Sequence, residues 1–316
     1  MQARQAINRR DTAGFARAEE LLTRAIELEP GLARAHAAMA DVWILSAITR
    51  QESGYFGQRN SPVFARIEGA IDRALALDPD SAEARTSLGF VRFLQWKPTD
   101  AERELRRAVA LNPNYTLGHH WLGACLTNRG EFDEGVAEYQ RAVELDPFSF
   151  RILDNYGDAL NTAGRSEEAL LVINRSLELQ PKSEQTLQNK IRTLLALNRL
   201  AEAEAIVRML PENEARHYLA RLGHKAEAEE ALAKASGRDR TDLLLAFDRI
   251  DGWLDAVSPL DINIIGLRRL FSSPELDPFR HDPRFQKLIA TLGFTEAHAR
   301  AQAWRAAHPP EKPVAK

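Results

Sequence analysis

The sequence predicts an all-α protein, a superhelical solenoid of antiparallel helix pairs that ends in a capping helix. Three prolines, Pro113, Pro147 and Pro181, each close an apolar helix-like run (RAVALNP, RAVELDP and RSLELQP) and follow one another at intervals of 34 residues. Such a fixed period indicates a repeat architecture, because one helix pair cannot bury its own apolar face and must stack on its neighbours. No stretch shows the alternation of apolar and polar residues that predicts half-buried strands.

Small residues recur where the two helices of a pair would meet. They are Gly89, Ala101 and Ala108 in one unit and Gly123, Gly135 and Ala142 in the next. Small side chains let two helices approach closely, while Leu, Phe and Tyr fill the remaining gaps. We therefore expect Gly89 and Gly123 to lie where neighbouring helices come closest, in an elongated array with a concave inner wall and no central active-site cavity.

The amino-terminal half contains one irregularity. A first helical hairpin spans residues 2–30, with Asp11 as the cap of its second helix, and the next unit begins at Ala33. Pro79 follows Pro30 by 49 residues, so about 15 residues are inserted relative to the usual period. They fall in TRQESGYFGQRNSPV, a loop at about residues 49–63 that either is only solvated or contacts a ligand.

The repeat pattern weakens after Pro181 and changes near Thr241. We place the solenoid at residues 1–260 and a C-terminal cap at 261–294. In the cap, the apolar run from Leu260 to Phe271 fits a helix or a short strand equally well. Asp282 and the following proline start a helix whose apolar stripe, Phe285, Leu288 and Leu292, ends at Gly293. The segment 295–316, which ends in HPPEKPVAK, is expected to be a flexible tail.

These motifs resemble the tetratricopeptide repeat family. The resemblance rests on Leu88-Gly89, Ala101, Leu105 and Ala108, and on the same positions one and two periods later. Two longer stretches, ARTSLGFVRFLQWKPTDAERELRRAVALNPNYTLGHHWLG and ELDPFRHDPRFQKLIATLGF, resemble a bacterial group in which such an array follows a winged-helix, class III adenylate cyclase, kinase or TIR domain. The resemblance covers nearly the whole chain and implies a signalling or protein-interaction role.

The resemblance also implies which side chains line the groove, since in this family the first helix of each pair faces it. The predicted groove residues are Arg34, Asp41, Phe90, Phe93, His120, Thr127, Asn128, Arg151, Asp154, Asp158, Asn161, Gln185, Gln188 and Arg192. Asp154 and Asp158 share one helix face. They are either two solvated carboxylates near Arg151 or a seat for a basic peptide.

Other functions fit the residues less well. The carboxylate clamp of some family members needs groove lysines, and no lysine occupies the predicted groove positions. His119, His120 and Cys125 could suggest zinc, but their spacing is wrong and the thiol and His119 lie at packing positions. No phosphate loop, nucleophile elbow or helix-borne zinc motif is visible, so we expect neither an enzyme nor a metal or other cofactor.

Composition bounds the location and the partners. Hydrophobic residues make up 44% and charged residues 28% of the 316 positions, enough to bury a core, and the net charge of −3 disfavours a nucleic-acid surface. The single cysteine, Cys125, excludes an internal disulfide framework, and neither a secretory signal nor a membrane span is visible. We expect a cytoplasmic scaffold that binds a protein or peptide in its groove. The alternative is a regulatory module of a larger signalling protein, periplasmic if that protein spans a membrane, with self-association a further option.

Overall fold

The computed structural model describes residues 2–8, 11–49, 62–259, 270–271 and 274–308. Within these ranges the chain forms helices joined by short turns and no strand, so the all-α prediction is confirmed. The helices are α1 (Gln2–Asn8), α2 (Thr12–Leu28), α3 (Ala33–Thr49), α4 (Pro62–Leu77), α5 (Ala82–Leu94), α6 (Pro98–Leu111), α7 (Thr116–Asn128), α8 (Phe132–Leu145), α9 (Phe150–Thr162), α10 (Ser166–Leu179), α11 (Glu184–Ala196), α12 (Leu200–Val207), α13 (Glu212–Ala215), α14 (Lys225–Lys234), α15 (Gly237–Ala246), α16 (Ile250–Ala256), α17 (Pro283–Leu292) and α18 (Thr295–Ala307). Short 3-10 helices occur at Arg216–Tyr218 and Pro274–Phe279.

The chain divides into two units, Met1–Cys125 and Leu126–Lys316. In the first unit α2 packs against α1 and α3, and α5 packs against α3, α4 and α6. Phe15, Leu22, Val42 and Leu45 form part of its core. Helix α2 begins where the sequence predicts, because the Asp11 carboxylate accepts a hydrogen bond from the Gly14 amide at 2.5 Å.

Gly89 lies at the closest approach of α5 and α6, as predicted. A Cβ atom added there would lie 2.6 Å from Leu105 Cγ and 3.1 Å from the Ala101 carbonyl oxygen. The same position two periods later shows the same crowding, since a Cβ on Gly157 would lie 2.5 Å from Ile173 Cγ1. Glycine is needed at both places because any side chain would push the two helices apart.

The turn inside each pair repeats with the same 34-residue period. Trp96, Gly130, Gly164 and Asn198 all have positive φ, between 56° and 78°. At each of them the next amide reaches back to a carbonyl of the preceding helix, for example from Glu131 N to the Leu126 oxygen at 3.0 Å. This is the Schellman ending, in which a left-handed residue satisfies the last carbonyls of a helix. Trp96 holds this conformation without being glycine, and sequence reasoning missed it.

In the second unit α10 contacts α9 and α11, and α11 also contacts α9 and α12. One part of its core contains Ile191, Leu194, Ala203 and Val207. Helix α17 begins after Asp282, whose carboxylate accepts the Arg284 amide at 2.7 Å, and ends at Gly293 with a φ of 81°. Its predicted apolar stripe is buried. The helix contacts α16, the second helix of the last pair, as expected of a cap.

Residues 295–307 correct the expected flexible tail, because they form α18, in which Ala297, His298 and Ala301 are buried. The segment TEAHARAQAWRAA is rich in alanine, the best helix former, and the prolines that suggested a tail come only after it. Residues 309–316 lie outside the described residues, as do residues 50–61 of the inserted loop and residues 260–269 of the apolar run. None of the described helices combines the length and apolar character needed to cross a bilayer.

Candidate functional site

The second unit carries a polar face on two adjacent first helices, α9 and α11. Each helix contributes three side chains at positions i, i+3 and i+7, which share one side of a helix. They are Arg151, Asp154 and Asp158 on α9 and Gln185, Gln188 and Arg192 on α11. Each α11 residue stands 34 positions after the α9 residue named in the same order. We call these six residues, together with Asn189, the α9–α11 face.

Direct contacts join the two rows of this face. Asn189 Nδ2 donates a hydrogen bond to Asp154 Oδ1 at 2.6 Å, and Arg192 Nη2 lies 3.4 Å from Asp158 Oδ1. Arg192 also donates to the Asn189 side-chain oxygen. Sequence reasoning missed Asn189, because it lies one position away from the strict 34-residue register. The signal that the sequence did contain is its helical spacing, since Asn189 stands four residues after Gln185 and three before Arg192.

Asp154 is a buried carboxylate. Its residue is 5% exposed, and burial raises the pKa of the carboxyl to about 6, although the Asn189 hydrogen bond lowers it in part. Asp158 keeps 18% of its side chain exposed but is paired with Arg192. Neither carboxylate is simply solvated. Asn189 and Arg192 of the chain itself occupy the positions that a basic side chain of a bound peptide would take.

The accessible groups of this face are hydrogen-bond donors and amides. Arg151 is exposed, lies 5.3 Å from the centre of the Phe150 ring, and makes no ion pair with any described residue. Gln185 is exposed, and Gln188 donates to Glu214 at 2.8 Å. Arg192 keeps 34% of its side chain exposed. Arg192 and Gln188 thus already have partners within the chain, and Gln185 Nε2 lies 3.4 Å from Asn189 Oδ1, so Arg151 is the most accessible donor of this face.

Several predicted groove residues are instead buried. Phe90 and Phe93 are 4% and 7% exposed, and the Phe90 ring stacks on Trp121 at 3.7 Å. His120 is 5% exposed, and Thr127 and Asn128 are at most 1% exposed. Their apolar or shielded surroundings make them part of the core, so they present almost no surface to a partner.

The other predicted residues remain at least partly accessible. Arg34 is exposed, and Asp41 is half-buried. The Asp41 carboxylate accepts hydrogen bonds from the Ser87 hydroxyl and, at 3.1 Å, from the Tyr115 hydroxyl. In the second unit Asn161 is half-buried and accepts from the Ser166 hydroxyl at 2.7 Å. Local partners thus satisfy Asp41 and Asn161.

The histidine and cysteine considered for zinc have partners in the backbone. His119 Nε2 lies 3.0 Å from the Pro113 carbonyl oxygen, and the buried Cys125 thiol donates to the Pro98 carbonyl at 3.7 Å. Over the part of the chain that the structure describes, no three potential ligands converge.

Comparison with known proteins identifies the repeat. The sequence model of the tetratricopeptide repeat matches residues 95–150 and 126–184, the stretch that contains α9. No curated protein sequence matches the chain.

Several solved structures resemble it in part. PilW, a type IV pilus biogenesis factor, is 17% identical, with a TM-score of 0.48 over 73% of this chain and 96% of its own. Pseudomonas aeruginosa PilF is 17% identical, with a TM-score of 0.48 over 67% of this chain and 91% of its own. YrrB, described as a TPR protein with an unusual peptide-binding site, is 22% identical, with a TM-score of 0.38 over 60% of this chain and 98% of its own.

Proposed function

We propose that the chain, whose residues 95–184 match the tetratricopeptide repeat, is a non-enzymatic scaffold whose α9–α11 face binds an extended acidic segment of a protein partner. Stacked helix pairs present first-helix side chains side by side, and such surfaces suit extended peptides rather than small molecules.

Arg151 supports this proposal, because it is exposed and makes no ion pair with any described residue. Arginine binds carboxylates through two parallel hydrogen bonds, which makes it a common anchor for acidic groups. Arg192, on the neighbouring first helix α11, is a second, partly exposed guanidinium, and Gln185 can hydrogen-bond the backbone of a bound segment. This donor set favours carboxylates and carbonyl oxygens over basic side chains.

The same face is poorly suited to catalysis. Asp154 has a pKa of about 6, which would suit a general base, but the residue is 5% exposed and hydrogen-bonded to Asn189. A general base must reach the proton that it removes, directly or through one water. We therefore assign Asp154 a structural role.

A display experiment tests the proposal. Random linear peptides on phage are selected against the full-length chain, and the enriched peptides are measured by fluorescence polarisation against Arg151→Glu. We expect enrichment of Asp and Glu, and affinity about tenfold weaker for the variant, because an exposed anchoring arginine contributes roughly 1–2 kcal/mol.

Arg141→Glu is the matched control. Arg141 is an exposed arginine on α8, a second helix, so the charge change is the same but lies off the proposed face. Peptides that bind Arg151→Glu as tightly as the unchanged protein would refute the assignment of this face. Selection of basic peptides would refute the charge argument.

A further inference from the structure

Helix α18 lies against the turn between α7 and α8, although the two are 171 residues apart in sequence. The Trp304 indole nitrogen donates to Asp133 Oδ2 at 2.7 Å, and its ring meets Phe132 edge-on at 4.9 Å. Arg300 donates to the Arg129 carbonyl at 3.2 Å and lies 3.5 Å from the Glu131 carboxylate. We call residues 129–133 the α7–α8 turn.

Gly130 shows how closely α18 approaches this turn. A Cβ on Gly130 would lie 2.7 Å from the Ala301 nitrogen and 2.8 Å from the Ala297 oxygen. Gly164 occupies the equivalent turn one period later with nearly the same φ, 72° against 78°, yet a Cβ there would meet nothing within 4 Å. The positive φ favours glycine at both positions, but only at Gly130 is the absence of a side chain also needed, because α18 packs directly against it.

The contacting side chains of α18 form a recognition face. Ala297, Arg300, Ala301 and Trp304 stand at positions i, i+3, i+4 and i+7, the spacing with which an amphipathic helix anchors itself in a groove. The two alanines permit the close approach at Gly130, the arginine reaches the acidic end of the turn, and the tryptophan covers Phe132. We therefore expect a helix that binds this turn to carry two alanines, an arginine and a tryptophan at the same spacing.

The opposite side of α18 is held by the C-terminal cap. The buried Arg280 donates to the Leu270 carbonyl at 2.7 Å and lies 3.2 Å from His298 Nε2. Gln302 donates to the Phe271 carbonyl at 3.1 Å, and Arg305 is paired with Asp277 at 2.6 Å. The contacts to the cap and those to the α7–α8 turn thus use different sides of the helix.

We propose that the α7–α8 turn is a helix-docking site, occupied here in cis by α18, and that its partner in trans is a helix with the same face of alanine, arginine, alanine and tryptophan. The polar part of the cis contact is accessible to water, since Arg300 keeps 38% of its side chain exposed. Exposed ion pairs of this kind contribute little, so α18 is held on the turn mainly by Trp304 and by the close approach at Gly130, and a partner helix with the same residues can compete for these contacts. The site shares no residue with the α9–α11 face.

A trans-binding experiment on the full-length chain tests this proposal. The probe is a fluorescein-labelled peptide with the sequence of residues 294–308. In the double variant Arg300→Ala/Trp304→Ala the cis helix loses its two anchors while the turn is unchanged. We expect the peptide to bind this variant about tenfold more tightly than the unchanged protein, whose site is occupied.

Two charge reversals added to the double variant locate the binding. Asp133→Arg should abolish peptide binding, because the new arginine repels Arg300 of the peptide and cannot accept the indole hydrogen bond. Glu167→Arg is its counterpart one period later, exposed and on the first turn of α10, and should leave binding unchanged. If the double variant binds no peptide, or binds it equally well with Asp133→Arg, the proposal is overturned.

Hydrogen exchange provides a second test that needs no ligand. Gly130→Ala should accelerate amide exchange in residues 295–307, because its Cβ displaces α18, whereas Gly164→Ala carries the same backbone strain and should not. Equal exchange of α18 in the two variants would show that the contact with the turn does not hold the helix.

Discussion

Replacing Gly89 by leucine should destabilise the first unit by about 2 kcal/mol. Leucine gains roughly 0.8 kcal/mol over glycine in a helix interior. Against this, even its first carbon would lie 2.6 Å from Leu105 Cγ, and three more carbons follow. Overpacking a tight core costs about 1–3 kcal/mol, and this site belongs at the upper end because the nearby Ala101 oxygen is backbone and cannot rotate away.

Gly69→Leu is the matched control for this prediction. Gly69 also lies inside a helix, α4, but a Cβ there would meet nothing within 4 Å. Leucine should stabilise the protein at this position by about 1 kcal/mol, since it gains helix propensity and can cover the neighbouring Ile26 and Trp43 side chains. The two variants therefore differ by about 3 kcal/mol with opposite signs.

Thermal unfolding, monitored by circular dichroism, measures the stability of both variants. A loss of 2 kcal/mol should lower the melting temperature by about 4–8 °C, and the control should raise it by a few degrees. Equal shifts of the two variants, or a higher melting temperature for Gly89→Leu, would refute the idea that glycine is required for the approach of α5 and α6.

Two further predictions concern the second unit. The pKa of Asp154 is raised from 3.8 to about 6, so its proton stabilises the folded state fully below pH 3.8, and this contribution is lost as the pH rises through 6. The free energy of unfolding of Asp154→Asn should therefore equal that of the unchanged protein near pH 3.5 and exceed it by up to about 3 kcal/mol at pH 7. Urea unfolding at both pH values measures this difference. Truncation after Phe294 removes α18 and should increase binding of a hydrophobic dye, because it uncovers Phe132. Truncation after His308 is the control, since it leaves α18 in place. Equal dye binding by the two truncated proteins would contradict the packing of α18.

Much of the fold could be predicted from the sequence because its contacts recur locally. The closing prolines and Gly89 follow from the packing of neighbouring helices, which repeats every 34 residues. The cap helix was also readable, since Asp282 and Gly293 mark its ends by backbone chemistry alone. These features depend on residues close in sequence or one period away.

The polar face was only partly predictable. The 34-residue register placed Arg151, Asp158 and Arg192 on one surface, and the structure brings Asp158 and Arg192 together. It did not predict Asn189 as the partner of Asp154, because that contact spans 35 residues and depends on the offset between two helices. Burial was equally unpredictable for Phe90 and Asn128, since helical spacing defines a direction but not the depth of the surrounding side chains.

The sequence by itself determined the helix pairs, their period and their ends, because the hydrophobic pattern, small residues and caps act over a few turns of chain. Only the tertiary structure decided where α18 lies. Its sequence marks a good helix former, but the contact of Trp304 with Asp133 joins residues 171 apart. Such a contact depends on the summed rotation of every helix pair between them, and no local pattern encodes that sum.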